Sequence, residues 1–197
     1  HADGAISVML CSDEIHCDLI LDEVRHVPAA MRDPALPSIT LMAPSKTFNV
    51  PGLGCAFAVI PDATVRRAFT RAMAGIVPHV NLMGLVACEA ALRHGAAWHA
   101  ELLRVLRRNR DRVAATVATT AGVSMTHVEA TYLAWIDVRE LQLENPAQHF
   151  EAHGLGLSDG ADFGTPGWLR LNFGCPLPTL EAGLARFSRA AAAASIR

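Results

Sequence analysis

A chain of 197 residues, 51% of them apolar, is long enough for one large domain or two small ones with a real core. The formal net charge is −2 and no run of like charge extends far, which excludes composition as a reason to invoke nucleic acid, an acidic surface or a membrane anchor. The expected partner is a small molecule or a second copy of the chain.

Five scattered cysteines (Cys11, Cys17, Cys55, Cys88 and Cys175), odd in number and without a CxxC pair, predict free thiols in a reducing, cytoplasmic setting. No apolar stretch approaches the roughly 20 residues of a membrane span, and the first residues lack the pattern of a signal peptide. The chain starts at His1 without a methionine and enters the apolar run Ile6–Cys11 almost at once, which predicts further sequence upstream.

Apolar runs rich in Val and Ile predict fully buried strands over 6–11, 39–43 and 55–60. Residues 12–38 leave room for the crossover that joins parallel strands. Residues 44–54, which include Pro44, Pro51, Gly52 and Gly54, cannot hold a crossover helix, so the third strand is expected to run antiparallel. Helices follow: one capped by Asp62, one from about Asn81 to Arg93 that stops at Gly95, and a long one from Ala97 to about Thr120. The arginines of the long helix (Arg104, Arg107, Arg108, Arg110 and Arg112) are expected on a solvated face. From Thr131 the pattern changes to a strand (Tyr132–Val138), a helix over 146–153, a glycine-rich loop, a strand (Trp168–Phe173) and an Ala-rich helix from Thr179. A soft boundary near residue 96 divides the chain into domains 1–96 and 97–197. Three strands with apolar residues on both faces need neighbours and covering helices that residues 1–96 cannot supply, so the first domain is expected to be incomplete.

Lys+Arg total 17, and Lys46 is the lone lysine. An amine can lose its proton and add to a carbonyl, whereas a guanidinium cannot, so a surviving lysine at a strand end is a candidate for covalent chemistry; a surface lysine is the competing reading. Lys46 follows the second strand and Asp13 follows the first. If those strands are parallel, both residues lie at the carboxyl edge where open α/β sheets bind ligands. A carboxylate facing a Schiff-base lysine suits pyridoxal phosphate, since it keeps the pyridine nitrogen protonated and lets the ring accept electrons. Without Lys46, Asp13 would read as a turn residue.

The stretches Cys11-Ser-Asp-Glu-Ile-His-Cys-Asp18, Ala43-Pro-Ser-Lys-Thr-Phe-Asn-Val-Pro-Gly-Leu-Gly54 and Trp168-Leu-Arg-Leu-Asn-Phe-Gly174 resemble, in order and spacing, the fold-type-I pyridoxal phosphate enzymes. Within them the chain resembles the cystathionine β-lyase-like carbon-sulfur lyases of the class I/II aminotransferase superfamily, the MalY/PatB kind, and corresponds to their C-terminal portion. The resemblance implies an α/β chain: part of a large domain with a mixed, mostly parallel sheet, then a smaller α+β domain. It implies that Lys46 holds the cofactor, that Asp13 partners the pyridine nitrogen, and that His16 falls where many aminotransferases place a tyrosine on the phenolic oxygen. It also implies that Ser45 faces the phosphate and that Arg170 grips the α-carboxylate of an amino-acid substrate. Packing for His16, turn chemistry for Ser45 and a surface position for Arg170 are the alternatives, and Asn172 is read as supporting its strand.

Ala43 stands where a phosphate-binding serine is common in the superfamily, and no arginine follows Lys46 before Gly54. The implied activity is α,β-elimination from cystathionine or another cysteine S-conjugate, in a homodimer when the protein is complete. An aminotransferase, or an inactive truncated or split relic, is the alternative. No metal is expected, because Cys11, His16 and Cys17 lack the usual spacing of zinc ligands.

Overall fold

The computed structural model describes residues 8–194, so the start of the first predicted run lies outside the described residues. The chain divides into two compact units, His1–Ala100 and Glu101–Arg197.

In the first unit β1 (Leu10–Asp13), β2 (Ser38–Met42) and β3 (Phe57–Val59) form a sheet in that order. β1 and β2 are parallel, with Cys11 opposite Ile39 and Asp13 opposite Leu41; β2 and β3 are antiparallel, with Leu41 opposite Ala58. The loop-length reasoning about strand direction therefore holds. The sheet of this unit is mixed, as expected, but among its described residues it is not mostly parallel: it has one parallel pair and one antiparallel pair. The strands are not fully buried either: Cys11, Phe57 and Val59 are exposed. A three-strand sheet has too few neighbours to cover both faces.

α1 (Ala63–Met73) begins at Asp62, whose carboxylate accepts the Thr64 and Val65 N–H groups at 2.7 and 2.8 Å. α2 (Leu82–His94) begins at Asn81, whose amide oxygen accepts from Gly84 N–H and whose Nδ2 donates to the Leu53 carbonyl, seating the helix on the 51–53 turn. Gly84 is required there because a Cβ would meet the Leu53 carbonyl oxygen at 2.5 Å.

α3 (Ala96–Ala118) starts in the first unit and continues through the second. The second unit adds β4 (Ser124–Met125), β5 (Leu133–Asp137), α4 (Pro146–Ala152), β6 (Ser158–Asp159), β7 (Trp168–Asn172) and α5 (Leu177–Ala194). Its sheet, ordered β4-β5-β7-β6, is antiparallel throughout. The short strands β4 and β6 have no apolar run to announce them; pairing with β5 and β7 creates them.

Period-2 alternation sorts the two faces of this sheet. Ala134, Ile136, Leu169 and Leu171 are buried, together with Leu106, Val113 and Val117 of α3 and Leu180, Leu184 and Phe187 of α5. Phe150 of α4 stacks on Phe187 at 5.0 Å between ring centres. Burial of each large side chain contributes about 1.5–3 kcal/mol before entropy is charged against it. Asn109 is fully buried, and its Nδ2 donates to the carbonyls of Phe173 and Cys175 at 2.9 Å each. That fastens the end of β7 to α3.

The α3 arginines are not uniformly solvated. Arg104, Arg107 and Arg112 are exposed, but Arg108 and Arg110 are partly buried, and Arg110 donates to the Val128 carbonyl at 3.2 Å. A 23-residue helix flanked by later elements cannot keep five arginines over nine positions on one open face.

Candidate functional site

The first unit builds its candidate site from two turns at the carboxyl ends of β1 and β2. Asp13 closes β1 with an exposed side chain, and its Oδ1 accepts the Ile15 N–H at 3.3 Å. The parallel ladder runs one residue further, with Glu14 N–H donating to the Leu41 carbonyl at 2.9 Å. Cys17 N–H then donates to the Glu14 carbonyl and Leu19 N–H to the His16 carbonyl, so 14–19 turns twice before buried Leu19 and Leu21 anchor it.

Glu14 is buried beneath this turn. Its Oε2 lies 2.7 Å from His26 Nε2, and its Oε1 accepts the Ala29 N–H at 2.8 Å. Burial pushes the carboxyl upward, but hydrogen bonds from His26, Ala29 and Ser12 outweigh it and hold Glu14 below its usual range.

After β2, buried Pro44 leads into a turn closed by Phe48 N–H on the Pro44 carbonyl (2.9 Å) and Val50 N–H on the Ser45 carbonyl (3.1 Å). Asn49, at φ 53°, ends it in the left-handed conformation that asparagine tolerates. Ser45 and Lys46 are half-buried within it and Thr47 is buried. Phe48 stacks on Trp98 at 5.8 Å and leans on His99 at 6.2 Å. His99 Nε2 lies 2.7 Å from the Asp18 carbonyl oxygen. The first turn of α3 thus touches both loops.

His16 is half-buried and feels both loops electrostatically. Burial holds its imidazole below the usual histidine range, the charge of Lys46 pushes it further down, and Asp13 offsets part of that. A neutral ring near pH 7 follows. Cys17 is pushed up to about 11, by burial first and then by Asp18 and Glu14, so it stays a thiol and makes a poor nucleophile.

Asp13, His16, Ser45 and Lys46 therefore occupy one carboxyl edge of the sheet. The donor set suits the ring of pyridoxal phosphate: a carboxylate for a protonated ring nitrogen, a neutral imidazole for the phenolic oxygen and an amine for the carbonyl carbon. Toward a phosphate, the loop through Gly54 could offer the Ser45 hydroxyl but no guanidinium.

Arg170 lies in the second unit, central in β7. It is in register with Trp135 on one side and Ser158 on the other. Its Nη2 donates to Ser158 Oγ at 3.2 Å, and its Cζ stands 4.5 Å from the centre of the Phe163 ring. Asn172 accepts the Gly174 N–H at 2.8 Å, a strand-end role.

Comparison with known proteins adds what geometry alone cannot. The family model "Aminotransferase class I and II" matches residues 5–187. The chain belongs to the class I and II aminotransferase family. Within this family it is 35% identical over 192 residues to cystathionine beta-lyase PatB of Bacillus subtilis, covering 93% of this chain and 50% of PatB. Among solved structures it superposes on OvoB with a TM-score of 0.90 at 48% identity, over 93% of this chain and 49% of that one. It superposes on cystalysin from Treponema denticola, which contains a pyridoxal 5'-phosphate cofactor, with a TM-score of 0.87 at 30% identity, covering 93% and 49%. As a class I/II family member, the chain spans about half the length of the relatives it matches.

The sequence did not point to Glu14 with His26, to Phe48 with Trp98 and His99, or to Ser158 and Phe163 beside Arg170. Phe48, two residues after Lys46, carries a weak signal, because an aromatic in a turn needs something to pack on. The others depend on contacts distant in sequence.

Proposed function

We propose that this chain carries the lysine-bearing portion of a pyridoxal phosphate-dependent carbon-sulfur β-lyase acting on cystathionine or related cysteine S-conjugates. The observation that carries the reading is the juxtaposition of Lys46 and Asp13 at one carboxyl edge of a parallel strand pair, with His16 coupled to both charges. Likeness to a cystathionine beta-lyase supports the lyase chemistry.

The cofactor, when bound, supplies an electron sink for the charge left when the substrate's α-carbon loses its proton. The residues do the rest. Lys46 would hold the cofactor at its Nζ and, once released by the substrate amine, would take the α-proton as a base. Asp13 would keep a proton on the ring nitrogen, and His16 would donate a hydrogen bond to the phenolic oxygen. Ser45 faces the phosphate. Arg170 presents a planar fork to the α-carboxylate, a task suited to guanidinium. With that sink in place the carbon-sulfur bond could break with its electron pair leaving on sulfur, Lys46 returning the proton that makes the leaving group a thiol, and water would then release pyruvate and ammonia. The complete protein works as a homodimer on this reading.

The test is to add pyridoxal phosphate, reduce with borohydride and map the label. With one lysine in the chain, label at Lys46 is expected, and a folded sample that takes none at this residue refutes the assignment. Transamination shares the α-proton step and is the reading that the family's own description favours. Thiol release from cystathionine without a keto acid selects the lyase; amino transfer without thiol selects the aminotransferase.

A further inference from the structure

The open face of the second unit's sheet carries a row of stacked groups. Trp168 stacks on Trp135 at 5.9 Å, and Trp135 meets Phe163 edge-on at 5.8 Å. An arginine closes each end: Arg139 lies over Trp168 at 5.6 Å, and Arg170 over Phe163 at 4.5 Å.

The two arginines are not equivalent. Arg139 is neutralised by Asp137 through a fork of contacts at 2.9, 3.1 and 2.7 Å. Arg170 has the Ser158 hydroxyl as its side-chain hydrogen-bond partner, and no ion pair is found for it among the described residues. A guanidinium carries five N–H donors in one plane. The Arg170 Cζ stands over the Phe163 ring and Ser158 takes one Nη2 hydrogen, which leaves further donors to meet a planar acceptor two at a time.

We propose that Phe163 and Ser158 are positioning residues that hold the Arg170 guanidinium flat with its donor edge free, ready to receive the α-carboxylate of an amino-acid substrate. This rests on the carboxylate role given to Arg170 above. Phe163 is half exposed in this chain and is not among its buried core residues. It faces a cation instead, an arrangement that limits the side chain's rotation and reduces the ordering needed when a carboxylate arrives.

The experiment observes the Arg170 Nε–H resonance in the full chain, assigned by its loss in Arg170→Lys. In the wild type it should lie upfield from the Phe163 ring current. It should move to an ordinary position in Phe163→Leu and return in Phe163→Tyr. Addition of S-ethyl-L-cysteine should shift it, while the carboxamide of the same amino acid should not. The half-saturating concentration of the acid is expected to rise about fivefold in Phe163→Leu, the scale of one exposed cation–π contact, and about threefold in Ser158→Ala. An acid that shifts the resonance equally well in wild type, Phe163→Leu and Ser158→Ala overturns the positioning role alone. An acid that never shifts it in the wild type overturns the carboxylate role of Arg170, and this inference with it. Circular dichroism checks that each variant is folded.

Discussion

Asn109→Ala should destabilise the second unit far more than an exposed polar truncation would. The wild-type amide is fully buried and donates twice, at 2.9 Å, to the Phe173 and Cys175 carbonyls that follow β7. Each bond contributes about 1 kcal/mol net, and a buried acceptor left without a donor costs about 1–3 kcal/mol, so a loss of about 2–4 kcal/mol is expected. With a urea m-value near 2 kcal/mol/M, the unfolding midpoint should fall by about 1–2 M. Urea titrations followed by Trp fluorescence suit this, since Trp135 and Trp168 lie in β5 and β7, the paired strands of the sheet that Asn109 anchors. Asn109→Leu separates hydrogen bonding from packing: it fills the volume yet cannot donate, and should recover less than about 1 kcal/mol of the loss. A leucine variant as stable as wild type would refute the hydrogen-bond argument.

Other outcomes follow from the first unit. Glu14 is held below its usual range, so its contribution to stability is fully present above the unfolded carboxyl value of about 4.3 and disappears as pH falls through the lower folded value. Acid titration of Glu14→Gln should lack that part of the wild-type decline, and parallel acid curves would contradict it. Gly95→Ala has no room, because a Cβ would collide with the Phe48 ring and the Ala91 carbonyl oxygen. A cost of about 1–3 kcal/mol and altered Trp98 emission are expected, measured by thermal melts and fluorescence. Amide hydrogen exchange should be at least about tenfold slower in β5 and β7 than in β1 and β3, since protection follows burial; equal protection would show a first unit better packed than its exposed side chains indicate.

Strand direction in the first sheet was legible because loop length alone decides it: residues 44–54 cannot cross over, and residues 12–38 can. Helix starts at Asp62 and Asn81 were legible because capping is local chemistry. Burial was not. The runs at 6–11 and 55–60 read as buried strands, yet Phe57 and Val59 face outward, because burial depends on what lies over a face and not on the residues in it. The candidate site divides in the same way. Lys46 and Asp13 could be found from their places after two strands, whereas Glu14 with His26, and His99 with the Asp18 carbonyl, become neighbours only through the fold.

Among the described residues the two units bury different kinds of side chain. Of the 21 buried apolar residues among those described, only Leu19, Leu21 and Ile60 lie in the first unit. Four of the five buried polar residues, Glu14, Ser38, Thr40 and Thr47, lie there instead. An apolar core needs volume filled and tolerates exchange of one hydrophobe for another, while a buried carboxylate needs particular partners at particular distances. Glu14 and Thr47 each sit next in sequence to a residue assigned chemistry, Asp13 and Lys46. Precision in the first unit is therefore concentrated at the carboxyl edge of β1 and β2, where two loops meet the first turn of α3, while Phe57, Val59, Leu82, Met83, Leu85 and Val86 stay open. A conservative exchange at Glu14, which has His26 and the Ala29 N–H as partners, should disturb the Lys46 edge more than a larger change on those open faces, read as a lower yield of borohydride label at Lys46.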